Sequence, residues 1–253
     1  MAAKAPAFWF RRNHPAALAL LPLSLLFRIL AALRRRLYRA GVLSSVRLPV
    51  PVIVVGNIAV GGSGKTPVVE WLVRALVIAG RRPGIVSRGY GSRQDGGVAL
   101  VPPDGDPVRY GDEPVLLARL CGCPVAIGRD RPAAAQALLQ AHPECDVLIS
   151  DDGMQHYRLA RDLELAVVDE RVLGNCWPLP AGPLREPLSR LATVELVIAH
   201  GDLSPTLREA LHAAPVFPMQ LEGAAFRSLT VPDRLLPAAA LAGRRVHAVA
   251  GIG

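Results

Sequence analysis

Val50–Thr66 reads VPVIVVGNIAVGGSGKT, and this stretch decides the fold. Val52–Val55 is a run of β-branched residues after Pro51, the composition of a buried parallel strand. It feeds a glycine-rich turn, Gly61-Gly62-Ser63-Gly64, and then Lys65-Thr66. Pro67 suits the first turn of a helix, and Val68, Val69, Leu72, Val73, Leu76 and Val77 recur at helical spacing. A strand, a glycine turn, a lysine and a hydroxyl opening a helix make a phosphate cradle. Glycine lets backbone N–H groups approach phosphate oxygens, and the helix N-terminus favours their negative charge. The strict pattern G-x-x-x-x-G-K-[ST] would begin at position 59, where alanine stands. The loop is therefore a variant, with Gly56 three residues early and an extra Gly61-Gly62 pair. Ala59, Val60, Gly61, Gly62, Ser63, Gly64, Lys65 and Thr66 are the candidate nucleotide contacts. Lys65 is expected on the β/γ-phosphates and the Thr66 hydroxyl on Mg²⁺.

Outward from the cradle, short apolar runs alternate with helical patterns. Strands are expected at Gly84–Ser87, Val98–Val101, Pro124–Ile127, Val147–Ile149, Leu163–Val168, Val194–Ala199 and Val246–Ala250. Helices are expected at Val115–Leu120, from Arg131 to about His142, from Pro187, at Ser204–Ala213 and from Pro232 to Leu241. This alternation predicts an α/β fold of the P-loop NTPase type, a mostly parallel sheet flanked by helices. Leu173–Pro187 is too rich in Pro and Gly for regular structure and too apolar for a loose linker. It is expected to be a rigid loop over the site that delivers Arg185 and Glu186.

The charge is unevenly spread. Nine of the 29 Lys and Arg residues fall in the first 50 positions, which hold no Asp or Glu. The remaining 203 residues carry 20 basic against 21 acidic side chains, so the high pI belongs to the N-terminal segment. A nucleic-acid-binding body would carry basic faces of its own, so the confined basic charge and only 5% aromatic residues argue against that class. Asn13-His14-Pro15 marks a helix start, followed by a Leu/Ala-rich stretch to Leu33 and then Arg34, Arg35, Arg36 and Arg39. Arg28 interrupts the apolar run and both flanks are basic, which favours a helix lying in a membrane interface over a span. Residues 1–48 are expected to be a membrane-associating segment and 49–253 the nucleotide-binding core. Cys121, Cys123, Cys145 and Cys176 form no C-x-x-C pair and read as buried free thiols of a cytosolic protein.

Two carboxylate motifs stand at the expected ligand edge. Asp151-Asp152 follow the Val147–Ile149 strand, where a carboxylate beside a phosphate loop supports Mg²⁺; Gln155 and His156 lie just beyond. Asp112, in Gly111-Asp112-Glu113-Pro114, is either a helix cap or a general base facing the transferred phosphate. Arg88, Arg129 and Arg131 are candidate anion contacts at loop and helix starts.

The ordered set GNIAVGGSGKTP, SRGYG, GDEP, SDDGMQH, LPAGPLREP and AGIG resembles the tetraacyldisaccharide 4′-kinase family, the lipid A 4′-kinases. The resemblance implies Mg²⁺–ATP-dependent phosphorylation of the 4′-hydroxyl of a tetraacylated β-1,6-linked glucosamine disaccharide 1-phosphate, giving lipid IVA. It implies residence on the cytosolic face of a Gram-negative inner membrane, with that glycolipid and the membrane surface as partners. Carried over by motif, Gly61–Thr66 hold ATP, Asp112 and Lys65 act in catalysis, and Thr66, Asp151, Asp152 and Gln155 support the metal. In the family AGIG leads into a smaller C-terminal lobe with a histidine that assists the catalytic aspartate; the sequence stops at AGIG, so a core cut short of that lobe is expected. The alternative from another class is a membrane-associated P-loop ATPase switch acting on a protein partner.

Overall fold

The computed structural model describes residues 5–90, 97–211, 214–223, 225–228, 230–231 and 235–247. Its centre is β1 (Val52–Gly56), every residue of which is buried. Valine and isoleucine fill this strand because both of its faces are covered. Val52 and Val54 point into one apolar layer with Leu138 and Leu148, whereas Ile53 and Val55 point into the other with Val69 and Ile149. Alternation at period two thus gives a continuous apolar run, and each such side chain contributes about 1.5–3 kcal/mol on burial.

Around β1 stand β2 (Pro83–Ser87), β3 (Ala99–Leu100), β4 (Val125–Ile127), β5 (Val147–Asp151), β6 (Leu163–Val168), β7 (Leu196–His200) and β8 (Val216–Met219). They form one sheet in the order β3-β4-β2-β5-β1-β6-β7-β8, parallel throughout except for β3 against β4. The register sets Val55 beside Asp151 and Gly56 beside Ala166, so the carboxyl ends of β1, β5 and β6 share one edge.

The helices are α1 (Pro15–Ala19), α2 (Leu21–Arg39), α3 (Lys65–Ile78), α4 (Pro107–Tyr110), α5 (Asp112–Cys121), α6 (Arg131–Ala141), α7 (Glu170–Leu173) and α8 (Pro205–Ala210). α3 and α5 cover one face of the sheet, α6 and α8 the other. Their starts follow capping chemistry: the side chains of Asp106, Asp130, Asp169 and Ser204 each accept from a first-turn N–H. At α1 the cap is the His14 ring rather than Asn13.

α2 buries only Ser24, whose hydroxyl accepts from the Ala181 amide. Leu23, Leu25, Leu26, Ile29, Leu30 and Leu33 remain about half exposed. No helix among the described residues is long and apolar enough to cross a membrane. The segment is tied to the body through Trp9 Nε1 to the Pro180 carbonyl and the Asn175 amide to the Trp9 carbonyl.

Four expectations change. Leu235–Pro237 is a strand, β10, paired antiparallel with β9 (Ala225–Arg227), because Pro237 fixes an extended approach to a short 3₁₀ turn at Ala238–Leu241. The segment after Pro187 is a 3₁₀ turn, Leu188–Thr193. All four cysteines are free, but only Cys145 is buried and Cys176 is exposed. Val246 and His247 belong to no strand, and the rest of that expected strand, with Pro232–Arg234 and residues 212–213, lies outside the described residues.

Candidate active site

The loop from Asn57 to Gly64 leaves β1 and enters α3 with no side-chain cap; the N-cap is Gly64, in the left-handed region at φ +87°. A Cβ there would lie 2.9 Å from Met219 Cε and 3.4 Å from His200 Nδ1, so only glycine fits. The first-turn N–H groups of α3 are thereby left free of side-chain caps at the carboxyl edge of the sheet. Ala59 and Ser63 are buried, whereas Val60, Gly61 and Gly62 are exposed. Ala59 bridges to Leu184, and the Val60 amide donates to the Pro183 carbonyl, so the Leu173–Pro187 loop braces the cradle from outside. Asn57 braces it from inside, its Nδ2 donating to Ser63 Oγ at 3.0 Å and to the Gly61 carbonyl at 3.3 Å.

Lys65 Nζ lies 3.6 Å from Asp152 Oδ1, and Arg185 Nη1 lies 2.9 Å from Asp152 Oδ2. These two cations hold the Asp152 carboxyl below the usual range even though burial opposes them. Asp151 experiences the reverse environment. It ends β5 fully buried, accepts from Ser87 Oγ at 3.1 Å, and leaves Oδ1 with no partner. Burial first, then the negative field of Glu113, pushes its carboxyl up to about 7, with Arg131 opposing. Adjacent carboxylates thus differ sharply, which marks a site built around charge that binding brings in.

Gln155 Nε2 donates to the Asn57 carbonyl at 3.1 Å and to Glu186 Oε1 at 2.8 Å. Glu186 also accepts from Tyr157 Oη at 2.8 Å, and it lies beside Arg190. His156 is neutral at pH 7, its pKa lowered to about 4 by burial and then by Arg131, Arg88 and Arg34. Arg131 is fully buried: Nη1 donates to the Val86 carbonyl and Ser150 Oγ, while Nε and Nη2 find no partner. Burial draws its pKa down to about 10. Arg88 and Arg129 are exposed.

Asp112 is the first residue of α5, exposed, and follows Gly111 at φ +92°, where a Cβ would meet the Tyr90 carbonyl at 2.8 Å. The neighbouring residue carries the contact to the cradle: Thr66 Oγ1 donates to Glu113 Oε1 at 2.8 Å. Glu113, Asn57, Ser87 and the pair His200–Asp169, 3.3 Å apart beside Gly64, had no assigned role in the sequence reading. The usable signal was position, since each stands at or just past the carboxyl end of a strand or opens a helix.

These donors fit a hard divalent cation. The unpartnered buried Asp151 oxygen, the Thr66 hydroxyl and the Glu113 carboxylate are oxygen ligands of the kind Mg²⁺ takes together with phosphate and water. Among the described residues no three His, Cys, Asp or Glu side chains are placed to cage a metal alone, so phosphate or water would complete the shell of a bound ion.

Residues 16–253 match the family model described as tetraacyldisaccharide-1-P 4′-kinase. The chain belongs to the tetraacyldisaccharide-1-P 4′-kinase family. It is 65% identical to the tetraacyldisaccharide 4′-kinase of Aromatoleum aromaticum, over 100% of this chain and 74% of that one. It is 66% identical to the enzyme of the same name from an Azoarcus species, over 98% of this chain and 72% of the relative. Among solved structures it resembles the "apo" form of LpxK from Aquifex aeolicus in complex with ATP, with a TM-score of 0.69 and 32% identity. That likeness covers 80% of this chain and 64% of the other. The kinase family thus accounts for the parallel sheet, the cradle and the motif order together.

Proposed function

We propose that this chain transfers the γ-phosphate of ATP to the 4′-hydroxyl of tetraacyldisaccharide 1-phosphate, giving lipid IVA, at the cytosolic face of a Gram-negative inner membrane. The observation that carries the reading is the uncapped start of α3 beside Lys65, set on the sheet edge that also holds Asp151 and Asp152. The loop 59–66 would hold the nucleotide phosphates through backbone N–H groups. Lys65 would exchange its Asp152 partner for phosphate oxygens, a swap that keeps the ammonium paired. Thr66, Asp151, Asp152 and Gln155, with Glu113, would hold Mg²⁺; when bound, the ion supplies charge neutralisation on the phosphates.

Asp112 would accept the proton of the attacking hydroxyl. It is exposed at the mouth of the site, on the turn that the Thr66–Glu113 bond draws to the cradle. Catalysis here is chiefly positioning and charge stabilisation, so one displaced group costs much. Residues 1–48 would lie on the membrane with the half-exposed leucines of α2 in the interface and the arginines on anionic head groups, leaving 49–253 as the kinase core.

The test is a transfer assay in detergent with γ-labelled ATP, Mg²⁺ and tetraacyldisaccharide 1-phosphate, run on this chain and on a version continued past Gly253. Label in the lipid is expected, with Asp112→Asn lowering kcat by about 10²–10⁴ while ATP affinity holds. Label released to water in both versions, and none in lipid, would replace the kinase reading with an ATPase switch.

A further inference from the structure

The basic end of α2 grips the site itself. Arg34 Nη1 donates to the Gln155 carbonyl at 3.2 Å. Its guanidinium stands 5.7 Å from the Tyr38 ring centroid and 5.9 Å from that of Tyr157, rings that are themselves 5.8 Å apart. Arg35, one residue on, approaches Glu186 Oε2 at 3.9 Å. Glu186 in turn accepts from the side chains of Gln155 and Tyr157, and Gln155 reaches the Asn57 carbonyl at the root of the cradle. The connector after α2 repeats the attachment: Ser45 Oγ donates to the Tyr157 carbonyl at 2.7 Å, and the Val46 amide to the Arg158 carbonyl at 2.7 Å. A single helix therefore holds an uncovered leucine face at one end and, through two adjacent arginines, the loop bearing Gln155 at the other.

We propose that Arg34 and Arg35 are positioning residues that couple the seating of α2 on an anionic lipid surface to the placement of Gln155 and Glu186. Lipid engagement then sets the rate of transfer as well as bringing the enzyme to its substrate. The proposal rests on the kinase reading for its kinetic arm. Its chemistry is specific to the planar guanidinium, which lies against the faces of two neighbouring rings while donating from its edge. The bilayer is the occupant that fits: the first 50 residues carry nine cations and no anion, and the exposed large apolar side chains of α2 among them are Leu and Ile. Coupling between two such sites is commonly worth about 5- to 150-fold.

Arg36 is the matched control, because it lies on the same turn, carries the same charge, is exposed, and has no side-chain partner among the described residues. The 253-residue chain and its Arg34→Ala, Arg35→Ala and Arg36→Ala variants would be compared on vesicles of zwitterionic lipid containing an anionic phospholipid. All three variants should lose vesicle affinity alike. At saturating lipid, only Arg34→Ala and Arg35→Ala should lower kcat, by about 5- to 150-fold, with the KM for ATP unchanged. Vesicles without glycolipid should slow hydrogen exchange of the amides at 153–158 in the parent and in Arg36→Ala, and leave it unslowed in the other two. An equal kcat loss in Arg36→Ala would reduce the arginines to head-group anchors and overturn the proposal. So would exchange at 153–158 that ignores vesicles in the parent. Because exchange is read without substrate, it decides the coupling even where no phosphate is transferred, so the two readings fail separately.

Discussion

Arg190→Met tests whether the site stands on a buried charge network. The Arg190 side chain is 2% exposed. Its Nη2 donates to Glu164 Oε2 and its Nη1 to Thr193 Oγ1 at 2.7 Å, while Nε pairs with Glu186 Oε2 at 3.2 Å without hydrogen-bond alignment. Removing one partner of a buried ion pair typically costs about 3–5 kcal/mol, because it strands the other charge. Here each carboxylate keeps a donor: Glu164 retains Arg161 at 2.8 Å, and Glu186 retains Gln155 and Tyr157. The expected cost is therefore the low end, about 3 kcal/mol, or roughly 6–12 °C in Tm for a chain of this size. Urea titration should show a lower midpoint at unchanged m. A single-variant cost under about 1 kcal/mol would refute the reasoning.

Three further outcomes follow from the cradle and its surroundings. Gly64→Ala should weaken ATP binding by about ten- to a hundred-fold in calorimetry, from strain at φ +87° and the close Met219 methyl; unchanged affinity would mean the loop relaxes freely. Asn57→Ala should cost about 1–3 kcal/mol of ATP binding by releasing Ser63 and Gly61, with little change in Tm. Ile29→Asp, at a residue 54% exposed, should leave Tm unchanged and cut vesicle partitioning by about ten-fold or more in a flotation assay; a fall in Tm would instead place that face against protein.

The parts of this molecule that depend on neighbours in sequence were legible before the fold was known. β1 announced itself because burial on both faces requires an unbroken β-branched run, and α6 because Asp130 and Pro132 start a helix locally. The Thr66–Glu113 bond spans 47 residues, and Glu186 meets Gln155 across 31; no local period encodes either. Asp112 drew attention as the acid of its motif, yet the neighbour one step along the helix makes the observed contact with Thr66. A helix turns about 100° per residue, so which of two adjacent acids faces the cradle is fixed by how α5 packs on α3. The region after residue 220 misled for the opposite reason: its alanines carry helix propensity, but Pro237 and pairing with β9 hold the preceding residues extended.

The two adjacent aspartates show how the sheet turns one dipeptide into two different groups. Asp151 is the last residue of β5, so its side chain is committed to the buried side with Ser87. Asp152 follows at φ +48°, a left-handed conformation that swings the next carboxylate out of the strand direction and toward Lys65 and Arg185. Asparagine and aspartate tolerate that conformation better than other non-glycine residues, which is why an acid can stand there at all. The consequence is a division of labour by environment. The paired Asp152 carboxylate holds Lys65 and would yield it to phosphate, while the desolvated Asp151 would gain most from an incoming cation. Asp152→Ala should therefore free Lys65 and move the NMR chemical shifts of its side-chain end in the nucleotide-free protein, whereas Ser87→Ala, touching only Asp151, should leave Lys65 as it was. Lysine-selective NMR spectra distinguish the two, and an equal response in both variants would mean the pair acts as one site.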